Sequence, residues 1–308
     1  MPLDAWLNGQ FVAMDSARVS AFDAGLQHGV GLFETMLARN GRVFRVLEHM
    51  ERLRASAREL ELVDTLRAEA LCDAVEATLA RSGLGDARIR LTLTGGDMNL
   101  LARSGAGGAG GAGGRDASAL RHDPTILIQV QPPTPYPEAM FEQGVGVRVA
   151  DSRLNMLDAF AGHKTLWYWP RLRELQTAAG AGLQEAIWFD VANGLACGCV
   201  SNVFVVKEGV VRTPVARGEE ARGALRSPVL PGVTRAEVLT LAQDLGYAVD
   251  RARLDISHLL GADEVFLTNS SWGVLPVVRV EASAIGAGKP GEATRRIRGA
   301  LLERIAAG

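Results

Sequence analysis

Four short stretches of this sequence carry side chains that could do chemistry. In DAFAGHKTLWYWP, Lys164 sits among Ala, Gly, Leu and Trp near a predicted helix start. Apolar surroundings disfavour an ammonium and lower a lysine's pKa, which suits an amine that forms Schiff bases. The same pattern fits a surface lysine whose stem lies along apolar neighbours. In LPGVTRAEV (230–238), Pro-Gly followed by Val233 and Thr234 opens a predicted helix. A helix start offers free backbone N–H groups to an anion, although a capped helix with no ligand reads the same way. LTNSSWGVLPV (267–277) ends a strand in Thr268, Asn269, Ser270 and Ser271. Those hydroxyls and amides could serve an anion or form a polar turn. In HMERL (49–53), His49 and Arg52 share one helix face. Arginine can grip phosphate bidentately, and a solvated helix face shows the same i,i+3 spacing.

The cysteines offer less. Cys197 and Cys199 stand one residue apart in LACGCVSNVF (195–204), and the third is Cys72. No second Cys/His pair lies at zinc-ligand spacing, and redox pairs favour Cys-x-x-Cys. The pair reads as small apolar residues at a strand start, and no metal is expected.

The elements that must position these residues follow from pattern. AWLNGQFVAMD reads as a hairpin about Asn8-Gly9, and a second hairpin turns at Asn40-Gly41 between Gly31 and Val46. VLEHMERLRASARELEL has helical apolar spacing, and a second helix is predicted over Thr65 to Arg81. Ala87–Thr94 and TILIQVQ (125–131) read as strands. PPTPYP then marks a linker over 132–138, between a smaller domain, 1–131, and a larger one, 139–308. SGAGGAGGAGG (104–114) reads as a flexible loop and not a phosphate loop, because no Lys-Ser/Thr follows it. In the second half, strands are predicted at 145–151, 185–190, 200–214 and 263–271. Helices are predicted from about Lys164 to Ala179, over 232–247 and at the C-terminus. Many strands with fewer helices between them predict an α+β fold in two parts.

Composition narrows the function. The chain has 308 residues, 47% of them hydrophobic, enough for a sizeable core. A formal charge of −2 with no basic block gives nucleic acid nothing to hold. No apolar run reaches the ~18 residues of a membrane span. The opening MPLDAWLNGQFV lacks a leader pattern, and three cysteines make no disulfide framework. The expected location is the cytoplasm.

Taken in order, these stretches resemble the class IV (fold type IV) pyridoxal-phosphate enzymes. The family includes branched-chain and D-amino-acid aminotransferases and 4-amino-4-deoxychorismate lyase. The likeness runs from about Ala5 to Arg295 and departs at the glycine-rich 104–114. FDAGLQHGVGLFETM (22–36) resembles the family's N-terminal strand entry. The resemblance implies pyridoxal 5'-phosphate as cofactor, with Lys164 as its Schiff-base lysine. Arg52, Val233, Thr234 and Ser270 would hold its phosphate. It also implies a homodimer acting on a small amine or amino acid. Family members usually read Glu-Gly-x-x-x-Asn-aliphatic-Phe where this chain has CGCVSNVF (197–204), so Cys197 occupies the place of the Glu that pairs with the cofactor's ring nitrogen. A thiol with a reference pKa of about 8.5 is mostly neutral at neutral pH. The expectation is a weaker electron sink.

Within the family, the sequence is read first as the lyase. Thr35 falls where the lyases carry a threonine that assists proton transfer, and aromatisation of the product would tolerate a weak sink. The alternative is an aminotransferase for branched-chain or D-amino acids and a 2-oxo acid. Arg90, in RIRLTLTGGD, matches the strand where branched-chain aminotransferases place a substrate-carboxylate arginine. Trp167 replaces the Asn often found after the lysine and would narrow the substrate pocket. A third reading is a cofactor-binding protein with impaired catalysis.

Overall fold

Asn8 and Gly9 both take positive φ, 47° and 93°. That is the two-residue turn whose twist matches paired strands, and it joins β1 (Asp4–Leu7) to β2 (Gln10–Ala13). The computed structural model describes residues 3–97 and 123–307, so the predicted loop at 104–114 lies outside the described residues. After α1 (Ala24–His28) come β3 (Gly31–Arg39), β4 (Arg42–Val43), α2 (Val46–Glu59), α3 (Ala68–Ser82), β5 (Ala87–Thr94) and β6 (Thr125–Gln131). The strands form one antiparallel sheet in the order β2-β1-β6-β5-β3-β4.

Alternation along β3 and β5 decides what each face of this sheet does. Leu32, Met36 and Ala38 of β3, with Ile89, Leu91 and Leu93 of β5, pack into one core with Met50 and Leu53 of α2 and Leu79 of α3. Phe33, Thr35, Arg88 and Arg90 are therefore left on the opposite face. The register sets Thr35 directly across from Arg90.

Residues 132–137 carry no helix or strand. The second half comprises α4 (Ala139–Glu142), β7 (Val145–Leu154), α5 (Trp169–Gly180), β8 (Glu185–Asp190), β9 (Leu195–Gly198), β10 (Asn202–Lys207) and β11 (Val210–Pro214). Then follow α6 (Val233–Asp244), β12 (Ala248–Ala252), α7 (Ile256–Leu260), β13 (Glu264–Asn269), β14 (Gly273–Val280), β15 (Ser283–Ala284) and α8 (Glu292–Ala307). The sheet runs β12-β11-β10-β13-β14-β7-β8-β9, and β9 also pairs with β10, closing a circuit. Two pairings inside that circuit, β14–β7 and β7–β8, are parallel. Buried Phe204 and Phe266 stack with centroids 4.8 Å apart beneath α6 and α8. The architecture is α+β, as predicted.

Several boundaries differ from the sequence reading. The helix expected from Lys164 begins at Trp169, with Pro170 in its first turn, where the missing N–H costs nothing. Residues 164–166 are instead extended beside β3: Phe33 N donates to Lys164 O (3.0 Å) and Leu166 N to Gly31 O (2.9 Å). The second helix starts at Ala68 instead of Thr65, and β7 runs on to Leu154.

Candidate active site

A cavity of about 940 Å³ brings together Lys164, Thr35, Arg52, Arg90, Cys197, Val233, Thr234 and Ser270. Trp167 does not join them. Residues 164–166 are extended where they pass β3; Lys164, Leu166 and Tyr168 line the cavity, and Trp167 is 67% exposed outside it. The Lys164 Nζ lies 4.5 Å from the Phe33 ring centroid. Burial, reinforced by the charges of Arg52, Arg171 and Arg90 against the opposing Glu34, pushes its ammonium down to about 7. The lowered value favours the free amine, the state a nucleophile needs.

The anion end is organised by a residue the sequence reading passed over, Glu34. It occupies the core face of β3 between Leu32 and Met36 and is almost fully buried. Arg52 forks onto it, Nε to Oε1 at 2.9 Å and Nη2 to Oε2 at 2.5 Å, and Arg52 Nη1 donates to Pro231 O at 3.0 Å. His49 Nδ1 lies 2.7 Å from Glu34 Oε2. Burial raises the Glu34 carboxyl, but Arg52 and His49 overcome it and hold it at about 2. Burial lowers His49, with Arg52 and Lys164 acting the same way. A neutral His49 that gives its Nδ1–H to the carboxylate leaves Nε2 as an acceptor. Ser270 Oγ is 3.4 Å from that nitrogen and 3.4 Å from Thr234 Oγ1.

Beside these hydroxyls is the start of α6. Its N-cap is Gly232, and no side chain caps the first turn. A Cβ at Gly232 would lie 2.0 Å from Asn202 Oδ1, so only glycine lets the backbone approach this closely. The uncapped N–H groups at Val233 and Thr234, the two hydroxyls and the Arg52 charge make an anion cradle.

Two further arginines line the wall formed by the first sheet. Arg90 lies 4.0 Å over the Phe33 ring, and its Nε donates to Thr92 Oγ1 at 3.2 Å. Arg88, two residues back on the same strand face, also lines the cavity. Neither pairs with a carboxylate among the described residues, and no Asp or Glu is among the lining residues. The i−2 spacing was the available signal for Arg88. Arg171, whose Nη1 reaches Cys197 Sγ at 3.4 Å, had none, since its contact is made through space from α5.

Buried polar atoms left without partners also mark this cavity. The Thr268 Oγ1 and Trp272 Nε1 have no hydrogen-bond partner, and both residues line it. Buried polar groups are ordinarily satisfied, so both leave hydrogen-bonding capacity at the cavity lining. Among the described residues, no group of three His, Cys, Asp or Glu could hold a metal, and no helix is long and apolar enough to cross a membrane.

Residues 31–280 match the family described as amino-transferase class IV. A putative branched-chain-amino-acid aminotransferase of Methanocaldococcus jannaschii is 32% identical over 296 residues, covering 95% of this chain and 93% of that protein. Among solved structures, the branched-chain amino acid aminotransferase of Escherichia coli superposes with a TM-score of 0.85 at 27% identity, over 100% of this chain and 96% of that one. The 4-amino-4-deoxychorismate lyase of Pseudomonas aeruginosa does so with a TM-score of 0.77 at 29% identity, over 98% and 99%.

Proposed function

Because the chain belongs to the class IV aminotransferase family and is thereby a pyridoxal-phosphate enzyme, we propose that it transfers an amino group between an amino acid and a 2-oxo acid, one of the pair carrying a second carboxylate. The observation that carries this reading is the wall formed by the first sheet, where Arg88 and Arg90 line the same cavity as Lys164 without a carboxylate partner among the described residues. Their charge is left for carboxylates of the substrate, and Leu166, Leu172 and Leu175 supply apolar surface for a side chain. The curated relatives support transamination over elimination.

The cavity fits the family's cofactor. The cradle of Val233, Thr234 and Ser270, backed by Arg52, suits a phosphate, and Lys164 suits the aldehyde. Pyridoxal phosphate, when bound, captures the amino group and gives the electron pair released at the substrate carbon a conjugated ring to enter. The rest falls to the protein. Lys164, held near 7, takes a proton from the substrate carbon and returns it, as general base and then acid. Arg88 and Arg90 fix the carboxylates so that this carbon meets Nζ. Glu34 holds Arg52 and His49 in place, and His49 orients the Ser270 hydroxyl. Exposed Leu157, Phe160, Trp167 and Trp169 form an apolar stretch that supports a homodimer.

A second reading, the lyase, is favoured by one observation: the Thr35 side chain lines the cavity opposite Arg90. One set of assays separates the readings. Borohydride reduction of the cofactor-loaded protein is expected to label Lys164, identified by peptide mass. D- and L-amino acids with 2-oxoglutarate are expected to turn over. Release of 4-aminobenzoate from aminodeoxychorismate, with no transamination, would replace the first reading by the second. A label elsewhere than Lys164 would overturn both.

A further inference from the structure

Arg171 of α5 closes one wall of the cavity in an unusual way. Its Nη1 donates to Cys197 Sγ (3.4 Å), Gly198 O (3.0 Å) and Cys199 O (3.2 Å). Its guanidinium carbon lies 5.8 Å from the Tyr168 ring centroid and 5.4 Å from that of Trp188. Arginine remains charged throughout the range in which proteins fold, and Arg171 is half-buried in the cavity wall, where its charge favours an anionic partner. No carboxylate pairs with Arg171 among the described residues. The acid of this wall, Glu185, is committed elsewhere, accepting from Ala186 N, Cys199 N, Val200 N and Ser201 Oγ. The ionisable group within hydrogen-bond reach of Arg171 is the Cys197 thiol.

Cofactor chemistry gives this wall its place. In pyridoxal phosphate the ring nitrogen lies across the ring from the aldehyde-bearing carbon, and the phosphate arm is attached next to that carbon. A cofactor held by its aldehyde at Lys164 and by its phosphate at the start of α6 would present the nitrogen to a third part of the lining, for which Cys197, Asn202 and Thr268 are candidates. Cys197, Asn202 and Thr268 form one cross-strand row of the second sheet, and all three line the cavity. Asn202 Nδ2 is spent on Leu230 O (2.9 Å). Thr268 Oγ1 is buried and unpartnered, which marks the row as one that a ligand completes. Of the three side chains, only that of Cys197 can carry negative charge.

We propose that Arg171 holds Cys197 as a thiolate, and that this pair serves as the anionic partner of the cofactor's protonated ring nitrogen. Cys197 and Arg171 together then do what a carboxylate does, and the weak electron sink expected of a neutral thiol does not arise. The second half of the proposal rests on the pyridoxal-phosphate reading of the cavity; the Arg171–Cys197 pair does not. Cations beside a thiol favour its ionised form. Arg171 touches the sulfur, and Lys164 lines the same cavity.

The test is a pH titration of thiolate ultraviolet absorbance on the full chain after the cofactor is stripped, with Cys197→Ser as the subtracted reference. Burial pushes Cys72 up to about 11 and Cys199 higher still, so neither contributes near neutrality. An ionisation below the free-thiol value of about 8.5 is expected, absent from Cys197→Ser. Arg171→Gln should raise it by about one unit or more, and Arg171→Lys should recover most of the shift. A wild-type ionisation above the free-thiol value, or an Arg171→Gln titration that does not move, overturns the pair. If the Arg171 variants do not fold, the wild-type titration decides alone. For the second half, nitrogen-15 NMR of ring-labelled cofactor should show a protonated nitrogen in the wild type and its loss in Cys197→Ser. A neutral nitrogen in the wild type overturns it. Failure of the cofactor to attach at Lys164 would instead remove the functional reading and leave the thiol titration standing.

Discussion

Arg52 and Arg171 reach into the same cavity, but their charges are met in opposite ways. Arg52 is locked by a buried carboxylate that accepts two of its N–H groups, and Glu34 also holds His49. Arg171 has two backbone carbonyls and a thiol. The first arrangement is fixed whenever Glu34 is ionised, which is everywhere above about pH 2. In the second the acid within reach is a thiol and not a carboxylate. The cradle is thus set before any ligand arrives, whereas the wall of Arg171 holds its charge against two carbonyls and a sulfur. Arg88 and Arg90 make a third case, with no anion of their own among the described residues, as expected where the counter-ion is the substrate.

The largest effect should come from breaking the fixed end. Glu34→Gln leaves Arg52 buried without its carboxylate, and removing one partner of a buried pair costs about 3–5 kcal/mol. Urea unfolding at pH 7 should show a loss of that order. The sign with pH follows from the lowered carboxyl. Its contribution is fully present above the ordinary value of 4.5 and is lost as pH falls towards about 2. The stability gap between wild type and variant should therefore close over that interval. A gap that persists undiminished at pH 2 would show that Glu34 acts by packing and not by charge.

That end of the molecule also shows what the sequence could and could not reveal. His49 and Arg52 were legible because helical spacing puts them on one face, and Thr234 because Pro-Gly announces a helix start. Strand boundaries at Ala87–Thr94 and Thr125–Gln131 were legible from alternation and β-branched content. Glu34 left a trace that could have been read: an acid at a core-facing position of LFETML, between Leu32 and Met36, needs buried partners. The Lys164 segment misled because its apolar residues continue into a true helix, and only pairing with β3 keeps it extended. Trp167 was placed at the pocket by the resemblance alone, and the path of the chain past β3 leaves it exposed outside the cavity. Arg171 could not be found at all, because a contact between a helix and a strand 26 residues later in the chain leaves no periodic signal.

Next in size is the arginine wall. A hydrogen bond to a charged group is worth about 1.5–3 kcal/mol, and about 1.4 kcal/mol is tenfold. Arg90→Gln and Arg88→Gln should each raise KM for a 2-oxo dicarboxylic acid by about ten- to a hundredfold. A monocarboxylic 2-oxo acid has one carboxylate to lose, so one of the two variants should leave its KM nearly unchanged. If both variants weaken mono- and dicarboxylic acids alike, the two guanidiniums act as a general positive field and not as separate carboxylate sites.

The smallest expected effect is the one that best separates the two enzyme readings. Thr35 sits across from Arg90, so it shares the wall of the first sheet with Arg88 and Arg90. In transamination the proton is moved by Lys164 alone, and Thr35 has only to fill space. Thr35→Val keeps the shape of the side chain and removes the hydroxyl. It should change kcat for transamination by less than about threefold, the scale of a substitution that disturbs no special contact. In the lyase the same hydroxyl would assist proton transfer, and a positioned acid or base contributes about a hundredfold or more. A hundredfold fall in 4-aminobenzoate formation by Thr35→Val, with cofactor binding intact, would make Thr35 a catalytic residue and move the chain from the aminotransferases to the lyases.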